Sequence, residues 1–185
     1  KGSLIRTQKK RQLGNFLSTH GIPGLRRVLL THRHVDHIGG VPALRRAFQG
    51  LSVAKFVFRD SASSQPVQAI KDGDVIESDG ATLVAIHTPG HSSDHLCYYL
   101  KEEKALFTGD LILGGSTTVI PPDDGDLSQY MQSLRRLLEL DLERIYPGHG
   151  PVIEPAKKKI HEYIDHRLQR DRQILEAIGN GCHTI

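Results

Sequence analysis

The chain has 185 residues and a formal net charge of +3, with 24% charged and 38% hydrophobic residues. This balance is typical of a soluble globular domain and excludes a chain that is disordered by composition, and the length suffices for a sizeable core. No apolar run approaches the roughly 18 residues that a membrane span needs, and two cysteines cannot form a disulfide framework. We therefore expect an intracellular protein without membrane partners, in the cytoplasm, or in the mitochondrial matrix if a targeting segment precedes Lys1.

Short β-rich runs, bounded by turn residues, alternate with helical patterns along the chain. The predicted strands are Arg26–Thr31, Leu51–Arg59, Ala81–Thr88, His95–Leu100, Ala105–Thr108 and Arg144–Tyr146. This alternation indicates an α/β fold. Because neither a repeat nor a clear linker interrupts it, we expect a single domain over residues 1–185.

Three helices are predicted between and after these strands. The first covers Val41–Phe48, and the second covers Leu127–Leu140 with a capping aspartate and one apolar stripe. The third runs from about Pro155 to Ile178, with proline in a favoured first-turn position. The three aspartates within residues 120–126 are typical of turn and cap chemistry, and we expect that loop to border a cleft.

The most informative stretch is Thr31-His32-Arg33-His34-Val35-Asp36-His37, directly after an apolar run. Side chains two apart in an extended segment point the same way, so His32 and His34 can converge on one ion. Asp36 and His37 then turn toward a neighbouring ion. The stretch therefore predicts a site for two metal ions.

Three further turns each place one metal-binding side chain just past a strand-like run. They are Thr88-Pro89-Gly90-His91, Phe107-Thr108-Gly109-Asp110 and Tyr146-Pro147-Gly148-His149. With the first cluster they supply enough ligands for two ions. Imidazole and carboxylate suit zinc, and manganese or iron can enter the same mixed site.

In this order the motifs resemble those of the metallo-β-lactamase-fold hydrolases. Within that superfamily the chain is similar to the β-lactamase-like protein 2 branch, which includes an endoribonuclease for single-stranded RNA. The resemblance runs from about Ile22 to Ile178. Five further segments also support it: Lys71-Asp72-Gly73-Asp74-Val75-Ile76, Ser92-Ser93-Asp94-His95, Gly115-Ser116-Thr117-Thr118-Val119, Gly150-Pro151-Val152-Ile153, and His166-Arg167 with Arg170, Gln173, Ile174 and Leu175. It implies an αββα sandwich. Because members of the branch have strands before the position of Lys1 and a small helical domain after that of Ile185, we expect both to be missing here.

The resemblance also implies the metal assignment. One zinc ion is expected on His32, His34 and His91 and the other on Asp36, His37 and His149, with Asp110 bridging them. Zinc lowers the pKa of a bound water to about 7, which would supply hydroxide to attack a carbonyl carbon or a phosphorus. Asp110 and Asp36 are the expected catalytic residues, and Asp36 orients the water if it does not bind metal.

Three further residues are candidates for supporting roles. Asp94 and His95 match the Gly-His-x-x-Asp-His form of the branch, and we expect them to orient the metal ligands. At 100° per residue, His166 falls off the apolar stripe of the last helix. It therefore faces solvent or lines the cleft.

Three functional interpretations follow. The first, favoured by the branch resemblance and by basic clusters such as Lys9-Lys10-Arg11, is an endoribonuclease or phosphodiesterase whose partner is single-stranded RNA. The second is an acyl thioesterase, or a glyoxalase II-like or lactone hydrolase, that acts on a small acyl substrate. The third is a zinc-binding interaction protein without catalysis, which is disfavoured because a structural zinc needs only four ligands.

Overall fold

The structure is a computed structural model that describes residues 24–57, 67–78 and 80–182, together with Leu17 and Thr19. The basic cluster Lys9-Lys10-Arg11 and the last two residues of the strand predicted over Leu51–Arg59 lie outside the described residues. In the described part, no helix has the length and apolar character to cross a bilayer.

Two sheets form the centre of the fold. A parallel sheet has the order β1 (Arg27–Leu29), β2 (Ser52–Phe56) and β3 (Gln68–Ile70). The larger sheet runs in sequence order through β4 (Val75–Ser78), β5 (Ala81–His87), β6 (Leu96–Leu100), β7 (Ala105–Gly109) and β8 (Arg144–Pro147). Its strands pair antiparallel except β7 and β8, which are parallel. All six predicted strands are confirmed, whereas β3 and β4 were not predicted because both are short and largely exposed.

Four helices have described bounds: α1 (Val35–Ile38), α2 (Val41–Ala47), α3 (Leu127–Leu138) and α4 (Ala156–Gly179). The three predicted helices are confirmed, and the predicted cap of α3 is confirmed because Asp126 accepts a hydrogen bond from the Gln129 backbone. The short helix α1 was not predicted. It is a single turn in which the Ile38 N–H donates to the carbonyl of His34.

Alternation along β5 and β6 separates two cores. Ala85 and Tyr98 face the small sheet, whereas Ile86 and Cys97 face a larger cluster under α3 and α4. The small sheet is also tied to β6 by a hydrogen bond of 2.7 Å from Tyr98 Oη to the carbonyl of Leu30. This layering confirms the predicted α/β sandwich.

The helix α4 only partly buries its apolar face, which the sequence predicts to consist of Ile160, Tyr163, Ile164, Leu168, Leu175 and Ile178. Ile160, Tyr163 and Ile164 are buried, but Leu168 and Leu175 are 40% and 68% exposed. The stripe is therefore packed only in its first half, and Ile178 at its end is also exposed.

Candidate metal centre

The predicted ligands lie at one edge of the sandwich because the strands before them end there. β5, β7 and β8 all finish at this edge, and β6 begins there, which brings the loops after His87, Gly109 and Pro147 together. The loop after β1 joins them because the Leu96 N–H donates to the carbonyl of Thr31 at 2.7 Å. Sheet pairing thus gathers residues that are far apart in sequence.

Three imidazoles form the first ligand group. His32, His34 and His91 each offer a nitrogen within 4.8 Å of the others, and we call them the three-histidine group. Nδ1 of His34 lies 3.0 Å from Nε2 of His32 and 3.0 Å from Nε2 of His91. His32 and His91 are buried, so this group forms the floor of the site.

A second group combines imidazoles and carboxylates. Asp36, His37, Asp110 and His149 offer ligand atoms within 4.8 Å of one another, and we call them the mixed group. His149 Nε2 lies 3.1 Å from Asp36 Oδ2, and His37 Nε2 lies 3.2 Å from Asp110 Oδ1. The helical turn α1 produces this division, because it rotates Asp36 and His37 away from the extended segment that carries His32 and His34.

The carboxylate of Asp110 lies between the two groups. Its Oδ1 is 3.2 Å from His37 Nε2, while its Oδ2 is 3.8 Å from His91 Nε2. The two oxygens of one carboxylate therefore face the two groups. This is the placement that a bridging ligand requires.

The donor set fits two divalent transition-metal ions. The facing atoms are imidazole nitrogens and carboxylate oxygens, which suit zinc, manganese and iron. Close packing supports the same fit, because a Cβ at Gly148 would lie 2.7 Å from Asp110 Oδ1. The seven side chains are thus brought together as the sequence predicts, and their role as ligands stays a prediction.

Burial sets the protonation states that metal ligands need. It lowers the pKa of His32 to about 2, and neighbouring imidazoles act in the same direction. Burial also lowers the pKa of His91. Burial alone would raise the pKa of Asp110, but the hydrogen bond and charge of His37 outweigh it and lower that pKa. Neutral imidazoles beside an ionised carboxylate are the forms that bind metal.

Two of the candidate ligands have hydrogen-bonding contacts behind them. His91 Nδ1 donates to the carbonyl of Val119 at 2.7 Å, which leaves the lone pair of Nε2 for the centre. His95 is completely buried and touches the Asp110 backbone. Asp94 is buried beside Arg33 and Ser92. His95 thus contacts a candidate ligand, and Asp94 contacts the chain neighbours of others, Arg33 and Ser92. Their role in orienting ligands stays a prediction.

His166 lies apart from both ligand groups. It is exposed and lines a cavity of about 350 Å³ with residues that include Thr117, Lys159 and Arg167. The sequence predicted that His166 either faces solvent or lines the cleft. In the structure its side chain is exposed and borders this separate cavity.

Two contacts were not found from the sequence. The Val119 carbonyl is a backbone group, for which no residue type gives a signal. The pairing of Arg33 with Asp124 joins residues 91 positions apart. The sequence signal for it is weak, because it consists only of the position of Arg33 between two candidate ligands.

A two-sheet α/β sandwich with adjoining histidine and aspartate groups at one edge is the arrangement of the metallo-β-lactamase fold. The sequence matches the Metallo-beta-lactamase superfamily over residues 19–55 and 56–149. The chain therefore belongs to that superfamily.

Two relatives of known name are similar to most of this chain. The chain is 48% identical to the atrochrysone carboxyl ACP thioesterase of Aspergillus fumigatus over 153 residues, which are 83% of this chain and 47% of the relative. It is 40% identical to the β-lactamase-like protein 2 homolog of Caenorhabditis elegans over 154 residues, 82% of this chain and 51% of the relative. The chain thus spans about half the length of each.

Solved structures agree with the fold. ETHE1 from Myxococcus xanthus is 30% identical, with a TM-score of 0.70, and the match covers 86% of this chain and 71% of that one. TTHA1623, solved in a di-iron-bound form, is 29% identical with a TM-score of 0.68, and the match covers 80% of this chain and 81% of that one.

Proposed function

We propose that this chain hydrolyses acyl thioesters with two divalent metal ions. Zinc is the preferred metal, and manganese and iron are the alternatives. The observation that carries the proposal is the 48% identity to an acyl carrier protein thioesterase. That relative supports an acyl substrate better than the single-stranded RNA that the sequence motifs favoured. The clustering of all seven predicted ligands supports a catalytic centre over a structural zinc site.

The three-histidine group would hold one ion and the mixed group the other, with Asp110 between them. When bound, two such ions supply Lewis-acid polarisation of the electrophile and a hydroxide nucleophile near neutral pH. The chain's own side chains fix the geometry for this chemistry. Strand pairing and the helical turn α1 set where these side chains lie.

Exposure of the ligands defines the side from which a substrate approaches. The side chains of Asp36 and His149 are 50% and 49% exposed, whereas that of His91 is 8% exposed. The thioester carbonyl therefore meets the centre over Asp36 and His149. If it does not bind an ion, Asp36 would orient the attacking water at this rim by accepting a hydrogen bond from it.

The thiolate leaving group of a thioester suits a site that consists of metal ligands. Addition of the water oxygen to the acyl carbon and loss of the sulfur yields a carboxylic acid and a thiol. A thiol has a pKa of about 8.5, so its thiolate leaves without prior protonation. A site built from metal ligands thus performs the reaction without a separate general acid.

The test is release of thiol from S-acyl N-acetylcysteamine and acyl-pantetheine substrates by the zinc-loaded chain. Asp110→Asn and chelated protein are run beside it, and Asp72→Asn serves as a matched control because Asp72 pairs with Arg136 and not with a candidate ligand. We expect thiol release that is lost in both treatments and kept in the control. An end-labelled single-stranded RNA and a lactone are assayed in parallel.

Each result has a distinct meaning. Thiol release with intact RNA supports the proposal. Metal-dependent RNA cleavage without thiol release overturns it in favour of the ribonuclease interpretation. Two bound ions with none of these reactions would also contradict a thioesterase.

A further inference from the structure

One loop residue outside the two ligand groups contacts both segments that carry the three histidines. Asp124 lies in the loop before α3, yet the exposed fraction of its side chain is only 9%. Its neighbour Asp126 caps α3, as the aspartates of this loop were predicted to do. Asp124 instead points away from the helix and into a set of hydrogen bonds beside the metal centre.

The first partner of Asp124 belongs to the loop after β1. Oδ1 of Asp124 lies 2.7 Å from Nη2 of Arg33, which stands between His32 and His34 in sequence. In an extended segment the middle side chain points opposite to its two neighbours. The two imidazoles therefore face the centre while Arg33 reaches outward to the carboxylate.

The other partners of Asp124 belong to the loop after β5. Ser93 Oγ donates to Oδ1 at 2.7 Å, and Ser92 Oγ lies 2.7 Å from Oδ2. Both serines directly follow His91. A single carboxylate thus connects the segment of His32 and His34 with the segment of His91.

A second carboxylate contacts the same two segments. Asp94 is buried and accepts from the Arg33 N–H at 3.3 Å, and its Oδ1 lies 2.7 Å from Ser92 Oγ. Lys55 Nζ lies 3.4 Å from its other oxygen. A hydroxyl has one proton to donate, so Ser92 serves one carboxylate at a time, and the Arg33 guanidinium is the stronger link to Asp124.

We propose that the Arg33–Asp124 pair is a positioning device that sets the separation of His34 from His91 and so tunes the affinity of the three-histidine group for its ion. This inference rests on the proposed two-metal centre. It concerns residues that bind no ion themselves. Asp124 acts from the side opposite to the ligands, through the backbone of Arg33 and of Ser92 and Ser93.

The test measures metal binding by stepwise competition with a chromogenic chelator, first with zinc and then with cobalt, whose absorption reports ligand geometry. The variants are Asp124→Asn and Arg33→Gln, compared with wild type and with Asp72→Asn. His34→Ala identifies which of the two ions is lost. We expect roughly 10- to 100-fold weaker binding of one ion, the range for changes in residues that orient ligands, with the mixed group unaffected.

Conservative replacement separates positioning from a general loss of structure. Arg33→Lys keeps the charge but not the planar fork of donors, so we expect an affinity between those of wild type and Arg33→Gln. The side chain of Arg33 is 46% exposed, so Arg33→Gln keeps the fold, which far-UV circular dichroism of the metal-free protein checks.

The outcomes distinguish this inference from the metal centre itself. If wild type binds two ions and both variants bind them with unchanged affinities, the positioning role is overturned and the two-metal centre stands. Equal weakening of both ions also overturns it, because the pair is then only part of the general scaffold. A wild-type chain that binds no second ion overturns the two-metal centre and this inference together.

Discussion

The backbone N–H of Asp110 donates to Nε2 of His95 at 3.2 Å. Because an amide nitrogen can only donate, Nε2 is the acceptor and the ring proton of His95 lies on Nδ1. Nδ1 then donates to Thr88 Oγ1 at 2.9 Å, and that hydroxyl donates to Cys97 Sγ at 3.3 Å. A buried chain of hydrogen bonds thus holds the backbone of the residue that lies between the two ligand groups.

These hydrogen bonds require a neutral His95. They therefore predict that the stability of the folded protein depends on pH. Burial lowers the pKa of His95 well below its ordinary value, and the charges of neighbouring histidines lower it further. Below a pH of about 6.5 the unfolded chain therefore binds a proton that the folded chain does not. The free energy of unfolding of the metal-free protein should fall there by about 1.4 kcal/mol per pH unit for this group.

Denaturant titrations between pH 7.5 and 5.5 measure this slope. His95→Gln offers an oxygen to Asp110 and an N–H to Thr88 without a titrating group, so its slope should be flatter, and the difference approaches that amount only at the acid end of the range. Equal slopes for the variant and wild type would show that His95 does not contribute.

Replacement of Asp110 by asparagine tests the bridging position. The variant keeps the size of the side chain but loses the negative charge that faces His37 and His91. We expect both ions to bind more weakly, by more than the roughly 100-fold typical of residues behind the ligands. Isothermal titration with zinc measures this, and full affinity for both ions would exclude Asp110 as a bridge.

Gly148 predicts a steric effect at the same carboxylate. In Gly148→Ala the new Cβ would lie 2.7 Å from Asp110 Oδ1 and 2.9 Å from the carbonyl of Gly109. The carboxylate must shift, so we expect weaker metal binding and a lower melting temperature. Gly40→Ala is the matched control, since a Cβ at Gly40 has nothing within 4 Å and the N-cap φ of −82° is open to alanine. Similar losses in both variants would count against the steric explanation.

The two cysteines should differ in reactivity. Burial raises the pKa of Cys97 to about 12, whereas Cys182 is exposed. Because the thiolate is the reactive form, a maleimide or disulfide reagent should label one cysteine per native chain and two in denaturant. Peptide mapping assigns the site, and rapid native labelling of Cys97 would mean that the hydrogen-bonded chain from His95 opens readily.

Much of the site was predictable because its signals are local in sequence. His32, His34, Asp36 and His37 lie within one short motif, and each remaining ligand follows a strand-ending turn. Residue spacing and turn chemistry suffice to find such residues. The α/β class was predictable from the strand-like runs of β5 and β6 and the apolar stripe of α3, whereas the αββα arrangement was implied by the family resemblance.

What escaped the sequence depends on long-range contacts. The helical turn α1 was missed because its four residues form no periodic pattern. The exposure of Leu168 and Leu175 was missed because an apolar stripe does not reveal where its packing partner ends. Asp124 was interpreted as part of a turn, since its pairing with Arg33 arises only when two distant loops meet.

The hydrogen bond from His91 to the carbonyl of Val119 has a consequence for how this protein can vary. The Val119 side chain is 68% exposed, so substitution there leaves the acceptor in place, because the acceptor is a main-chain atom. Insertion or deletion between Asp110 and α3 would move that carbonyl and change the basicity of the imidazole. Variants of this protein are therefore free to change the side chain at Val119, whereas a change in the length of this loop would move the carbonyl away from His91.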